Sequence, residues 1–303
     1  MSRRLGLDLG NRELRLLEAD GRQLTRHAEM LLPDGAVVDG IPTPLLTAVV
    51  RGVIQEQRFS PGTVRVAIAE TGTAFRDFRL PRLPASELSS AVLFEGRRLI
   101  PLDPEDVYFA WQAQRIASGY AVYLVAARRA MIDGVISALG AAGLTVERMD
   151  LKPLALARGM GVADGLLLEW GAVEATLVLM AGGRPRFLRT FQLDAPPDDA
   201  EAQFEELSLS VAALVKFMRG AAPDISIGPW TPLVVSGRFA FLDGGPERAG
   251  QSFGFQARSP QTRLQASADF PWQAHFAEIG LLQQERWQPR LSPSQGGDTG
   301  VAA

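Results

Sequence analysis

The sequence predicts an α/β fold made of two similar halves, and three observations carry that prediction. Shifting the chain by about 161 positions lays Leu5-Gly6-Leu7-Asp8-Leu9-Gly10 over Leu166-Leu167-Leu168-Glu169-Trp170-Gly171, the trace expected of an internal duplication. Short alternating or fully apolar runs are interleaved with apolar stripes at helical spacing. The 303 residues, 47 % of them apolar, suffice for two substantial cores.

Taken in order, Leu5, Leu7 and Leu9 alternate with Arg4, Gly6 and Asp8. After Gly10-Asn11-Arg12-Glu13 the run Leu14 to Ala19 reaches a turn at Asp20-Gly21, and Gln23 to Leu32 completes a three-stranded antiparallel meander. Pro44 opens a helix with the stripe Leu45, Leu46, Val49, Val50, Val53 and Ile54. Val64 to Ala69 reads as a buried strand, and a helix bounded by Pro81 and Pro104 carries Leu88, Val92 and Leu99 on one face. A strand at Tyr120 to Ala127 precedes a helix with Ile132, Val135, Ile136 and Leu139, stopped at Gly143. The meander then recurs over 165 to 193, with Glu13 falling on Glu174 and Gly21 on Gly182. A long stripe follows, from Phe204 through Leu207, Val211, Leu214 and Val215 to Met218. Pro232 to Ser236 is a strand, Phe276, Ile279 and Leu282 mark a last helix, and the Pro-, Ser- and Gly-rich stretch from Gln288 reads as a disordered tail.

Composition excludes several function classes. With no cysteine there are no disulfides, thiolate metal sites or cysteine nucleophiles. The two histidines, His27 and His275, cannot form a metal cluster alone and read as ordinary strand or helix residues. A net charge of −3 argues against a globally basic nucleic-acid binder. No uncharged apolar run approaches the ~18 residues of a membrane span, and Asp8, Glu13 and Arg15 interrupt what would be a signal segment. A cytoplasmic location is therefore expected. Lysine occurs only at 152 and 216, which reads as compositional bias.

An Asp-x-Gly hairpin lets backbone N–H groups approach a phosphate, because glycine carries no side chain to hold it away, and the nearby carboxylate can organise magnesium with its waters. One such hairpin is common by chance. Two of them, one opening each half, would close over a polyphosphate from opposite sides.

These residues resemble the opening of the actin-like nucleotide-binding superfamily, and within it the PilM family of type IV pilus assembly proteins. The likeness rests on Leu5 to Gly10 with Leu14-Arg15-Leu16-Leu17-Glu18. It continues through Leu32-Pro33, Gly35 to Gly40, Val64 to Ala69, Leu80-Pro81, Ile100-Pro101-Leu102, Leu124 to Arg128, Ala142-Gly143-Leu144, Asp150 and Ala155-Leu156-Ala157. Beyond residue 160 it is thinner. The resemblance implies an actin-like (ASKHA, ribonuclease H-like) duplicated fold with an inserted subdomain like that of the division protein FtsA. It divides the chain into a first actin-like subdomain (1–73 and 149–162), an inserted small α/β subdomain (74–148), a second half with a shortened helical subdomain (163–287) and the tail (288–303).

It also implies ATP with magnesium in the cleft. The positions so assigned are Asp8, Gly10, Asn11 and Arg15 in the first hairpin, Glu169, Gly171 and Thr176 in the second, and Ser236 and Gly237 at a strand end. No catalytic residue and no protein metal-ligand set is expected. The chain departs from the family pattern in one direction. Asn11, Glu13 and Arg15 stand where hydroxyls and a lysine are usual, and Glu13 brings negative charge towards the phosphates. Glu169 replaces the expected aspartate, Trp170 adds bulk, and Arg238 follows Gly237 where a second glycine is usual. A pseudo-ATPase, with nucleotide binding weak or lost, is therefore expected.

As the resemblance implies, the partner is the N-terminal cytoplasmic tail of a PilN-like single-span membrane protein, with other pilus platform proteins, no nucleic acid and no direct membrane anchor. Its groove would lie between the first subdomain and the insertion, walled by Phe75 to Leu80 and Tyr120 to Ala126. The chain would then associate with the inner membrane through its partner. Two alternatives stay open, a type II secretion component such as GspL and a small-molecule kinase of the same superfamily. The kinase would need an aspartate base, and no convincing one is present.

Overall fold

The computed structural model describes residues 3–60, 62–221, 224–283 and 299–302. Strands β1 (Arg3–Leu9), β2 (Glu13–Asp20) and β3 (Gln23–Leu31) form the first meander, and the small hairpin β4 (Val37–Val38) and β5 (Ile41–Pro42) leads into helix α1 (Pro44–Glu56). Thr43 caps α1, its hydroxyl accepting from Leu45 N at 3.3 Å. β6 (Gly62–Ile68) and β10 (Leu144–Leu151) complete a five-stranded sheet of order β10-β6-β1-β2-β3.

Between β6 and β10 lie β7 (Thr73–Leu80), α2 (Ala85–Leu99), β8 (Val107–Ile116), β9 (Gly119–Arg128) and α3 (Arg129–Ala141). β7, β8 and β9 make a separate antiparallel sheet with β9 in the middle, and α2 covers one face through Leu88, Val92 and Leu93. The second half follows with α4 (Lys152–Met160), β11 (Gly165–Trp170), β12 (Glu174–Ala181), β13 (Arg184–Gln192), α5 (Ala200–Ala221), β14 (Pro232–Gly237), α6 (Gly245–Phe253), β15 (Gln256–Arg258) and α7 (Phe276–Leu282). Its sheet runs β13-β12-β11-β14-β15.

The repeat holds at the level of individual hydrogen bonds. Gly10 N donates to Glu13 O at 2.9 Å and Gly171 N to Glu174 O at 2.8 Å; Leu32 N reaches Arg12 O at 2.8 Å and Leu193 N reaches Val173 O at 2.9 Å. Both outer hairpins shift register at equivalent places, between Glu18 and Ala19 and between Leu179 and Met180. The two meanders lie in separate sheets with the same strand order.

Three expectations need correction. Residues from Leu144 belong to the first sheet, because β10 pairs in parallel with β6, so the stretch 74–148 is not one insertion. Helix α3 likewise packs into the first core through Met131, Ile132, Val135 and Leu139. Leu45, counted in the α1 stripe, is 42 % exposed, because the buried face is the narrower set Leu46, Val50, Val53 and Ile54. The expected tail lies mostly outside the described residues, but Thr299–Ala302 forms β16, parallel to β8. The outer edge of β8 offers the unpaired backbone groups that such a strand satisfies.

α4 and α7 are buried along their whole length between the two sheets. They join Leu17, Leu24, Leu167, Val178 and Val234 in a core shared by both halves. Glycine makes this possible: a Cβ at Gly159 would sit 2.0 Å from Phe276 O, and one at Gly280 would sit 1.9 Å from Ala155 O. Each obstacle is backbone and cannot swing away. Gly159→Ala or Gly280→Ala is therefore expected to destabilise the chain by about 3 kcal/mol or more, read as a lowered urea midpoint. An unchanged midpoint in both variants would refute the close helix crossing.

Candidate functional site

The ends of β1 and β11 and the hairpins that follow them meet at the junction of the halves. Their side chains form one buried ion-pair network. Asp8 is opposite Arg15 on the neighbouring strand, and Lys152, the first residue of α4, enters between the two hairpins. Its ammonium lies 3.2 Å from Asp8 Oδ2, 3.0 Å from Glu169 Oε2 and 3.0 Å from Glu174 Oε1. Arg15 reaches Glu13 Oε2 at 2.9 Å, Glu169 Oε1 at 3.0 Å and the half-exposed Glu29 Oε1 at 3.2 Å. Arg15 and Lys152 are each only 1 % exposed.

The hairpin amides are also taken. Ala172 N and Val173 N both donate to Glu13 Oε1, at 2.5 and 3.0 Å. Gln192 donates to Glu174 Oε2 at 3.2 Å. The hairpin glycines serve this close approach: a Cβ at Gly171 would come within 2.8 Å of Arg15 Nη2 and 2.9 Å of Glu13 Oε2, and one at Gly10 within 3.0 Å of Glu174 Oε1. The residues present do not fit a phosphate at this hairpin, because a carboxylate oxygen already accepts the N–H groups that would face it.

Buried carboxylates outnumber the two cations here. Burial, with Glu278 and Glu169 adding to it against Lys152 and Arg15, pushes Asp8 up to about 8. Burial also raises Glu13, against the pull of Arg15. For Lys152 burial acts downward, but Asp8, Glu169 and Glu174 outweigh it and hold the ammonium well above its usual value. Arg15 is held up in the same way by Glu13 and Glu169. Glu174 falls below its ordinary value because Lys152 outweighs burial.

Of the residues singled out from sequence, Asp8, Gly10, Arg15, Glu169 and Gly171 come together. Asn11 instead donates to Thr71 Oγ1 at 2.9 Å near the surface. Thr176, fully buried, bonds Thr190 on β13 at 3.0 Å. Ser236 faces Met160 Sδ at 3.8 Å. Gly237 adopts φ 73°, and a Cβ there would lie 2.2 Å from Trp170 O. Arg238 turns inward: it donates to Gln203 Oε1 at 2.6 Å and lies over the Trp170 ring at 5.5 Å. Sequence reasoning missed Lys152 and the inward role of Glu174. The available signals were one of only two lysines in an arginine-rich chain and the Glu13/Glu174 match in the repeat.

The duplicated meanders, the helix pair between them and the hairpins facing one another define a protein of the actin-like fold. The chain belongs to the family of type IV pilus assembly protein PilM, whose model matches residues 6–181. Among solved structures it is similar to a PilM–PilN type IV pilus biogenesis complex, at 22 % identity and a TM-score of 0.67, covering 91 % of this chain and 94 % of that one. It also resembles the cytoplasmic domain of EpsL, an inner-membrane component of the Vibrio cholerae type II secretion system (13 % identity, TM-score 0.55, 94 % and 97 % covered). The ethanolamine utilization protein EutJ of Carboxydothermus hydrogenoformans is similar at 13 % identity and a TM-score of 0.51, with 93 % and 89 % covered. No curated protein matches. Among the described residues no helix is long and apolar enough to cross a membrane.

Asp8 sets the sign of a pH dependence. Between its unfolded value of 3.8 and its folded value of about 8, the folded chain holds a proton that the unfolded chain has released. Stability is thus fullest below the unfolded value and falls as pH rises towards the folded one, by about 1.4 kcal/mol per unit for one proton. Asp8→Asn keeps the shape without the ionisation. Denaturation at a series of pH values is expected to show a flatter profile in this variant from about pH 5 to 8. A profile parallel to the parent's would mean that the proton resides on another group.

Proposed function

We propose that this chain is a cytoplasmic scaffold of the type IV pilus inner-membrane platform, which captures the N-terminal tail of a PilN-like membrane protein and does not use ATP. The observation that carries the nucleotide half of this reading is Glu13 Oε1 accepting from Ala172 N and Val173 N. A carboxylate of the chain itself serves as the internal anion of the second hairpin, and Lys152 serves as the internal cation between the two. A nucleotide would have to displace both and leave buried charges unpaired, a loss of several kcal/mol. The same network removes support from the kinase reading, because Asp8 and Glu169 are both committed to Lys152.

The tail-binding half rests on an open strand edge. β9, which holds Tyr120 to Ala126, is paired on both sides, so it can wall a groove with its face but not offer its edge. Among the described residues the outward edge of β7 pairs with no other strand. Asp77 near its C-terminal end is tied to β13 by Arg184 and Arg186, at 3.5 and 3.0 Å. Beside its N-terminal half lies a cavity of about 430 Å³ lined by Glu70, Thr73, Phe75, Arg76, Leu188 and Arg189. There the N–H of Thr190 donates to a side chain, Glu70 Oε1, at 2.7 Å. An extended tail could pair with β7 and place alternate apolar side chains in this groove.

Calorimetry with ATP and magnesium is expected to show no binding up to about 1 mM, a free energy of only about −4 kcal/mol. Micromolar binding with steady phosphate release would overturn the nucleotide half. Separately, a fluorescent peptide of the partner's N-terminal tail is expected to bind with or without ATP. Leu188→Arg, which places charged bulk in the groove, is expected to weaken it about tenfold. No binding to the folded parent, or full binding to the variant, would reject this groove.

A further inference from the structure

A second, larger cavity of about 810 Å³ lies where the β2–β3 turn, the C-terminal ends of α4 and α7 and the loop 261–264 meet. Arg4, Arg22, Arg158 and Arg263 line it, together with Gly159 and the exposed Gly161; among the described residues no carboxylate does. The walls are joined. Leu24 N donates to Gln265 O at 2.7 Å, Gln265 N to Arg22 O at 2.8 Å, and Arg22 Nη2 to Arg263 O at 2.8 Å. Arg4 donates to Gly21 O and Leu282 O, both at 2.5 Å.

These acceptors are carbonyls, which satisfy N–H groups without neutralising charge. Arg158 is paired with Asp150. Arg4, Arg22 and Arg263 form no ion pair among the described residues, although the chain as a whole is acidic, with a net charge of −3. Burial presses the Arg4 guanidinium downward, the neighbouring charge of Arg65 adds to it, and Glu147 pulls the other way. Fastening of helix ends explains Arg4 and Arg158. It does not explain why Arg22 and Arg263, both exposed, converge on the same space.

We propose that this cavity binds a phosphate-bearing anion, held by Arg4, Arg22 and Arg263. Guanidinium groups match phosphate oxygens in charge and in forked geometry, and the volume exceeds what inorganic phosphate alone requires. The phosphate could belong to a soluble organic phosphate or to an anionic lipid headgroup, and the two sources separate experimentally. The site is independent of the cleft between the hairpins and of the β7 groove.

The test uses the full chain, the variant R22E/R263E, and the control R97E/R115E, which carries the same net charge change at exposed arginines outside the cavity. Calorimetry with pyrophosphate probes the soluble source. Co-flotation with phosphatidylglycerol-containing phosphatidylcholine vesicles probes the lipid source. Binding of at least one probe is expected, weakened about tenfold or more in R22E/R263E and retained in R97E/R115E. If neither probe binds, if binding survives in R22E/R263E, or if the control loses it equally, the proposal is wrong.

Discussion

The structure depends on one buried electrostatic constraint: Lys152 and Arg15 must neutralise carboxylates contributed by both halves. Lys152 stands at the start of the helix that links the halves and bonds Asp8 from the first hairpin and Glu169 and Glu174 from the second. Arg15 joins Glu13 to Glu169. Charges removed from water are tolerable only with partners in good geometry. The network therefore links the halves at their junction, while α4 and α7 bring their apolar surfaces together.

The repeat places two of the network's carboxylates at equivalent positions. Glu13 and Glu174 occupy equivalent hairpin positions, and in each hairpin the glycine N–H bonds the glutamate carbonyl. Their side chains then diverge in role. Glu13 crosses to the amides of the other hairpin, whereas Glu174 turns to Lys152. The two hairpins thus share one backbone arrangement while their side chains take different parts, since fold and site diverge independently.

Much of the fold was legible because its signals are local. Alternation at Leu5, Leu7 and Leu9, the turn at Asp20-Gly21 and the stripe from Phe204 to Met218 each act within a few residues, and each corresponds to an observed element. β8 and β10 were not legible. Val107 to Ile116 is apolar with no clean alternation, and whether Leu144 to Leu151 belongs to the insertion or to the first sheet is decided by its parallel pairing with β6, across a long sequence separation. The site was half legible. Asp8, Glu169 and the hairpin glycines were found by the repeat, but Lys152 lies far from both hairpins in sequence and its role exists only once the chain folds.

By itself the sequence determined the repeat, the meanders and the family, because these follow from residue identity and from the order of short local runs. Only the tertiary structure decided where the hairpin charges go. An acidic residue beside a phosphate hairpin can repel a ligand, point to solvent or replace the ligand. Which of these Glu13 does depends on a guanidinium two residues away and on two amides 159 and 160 residues further on. Long-range electrostatic pairing is a property of the folded chain, so that choice could be read only from the fold.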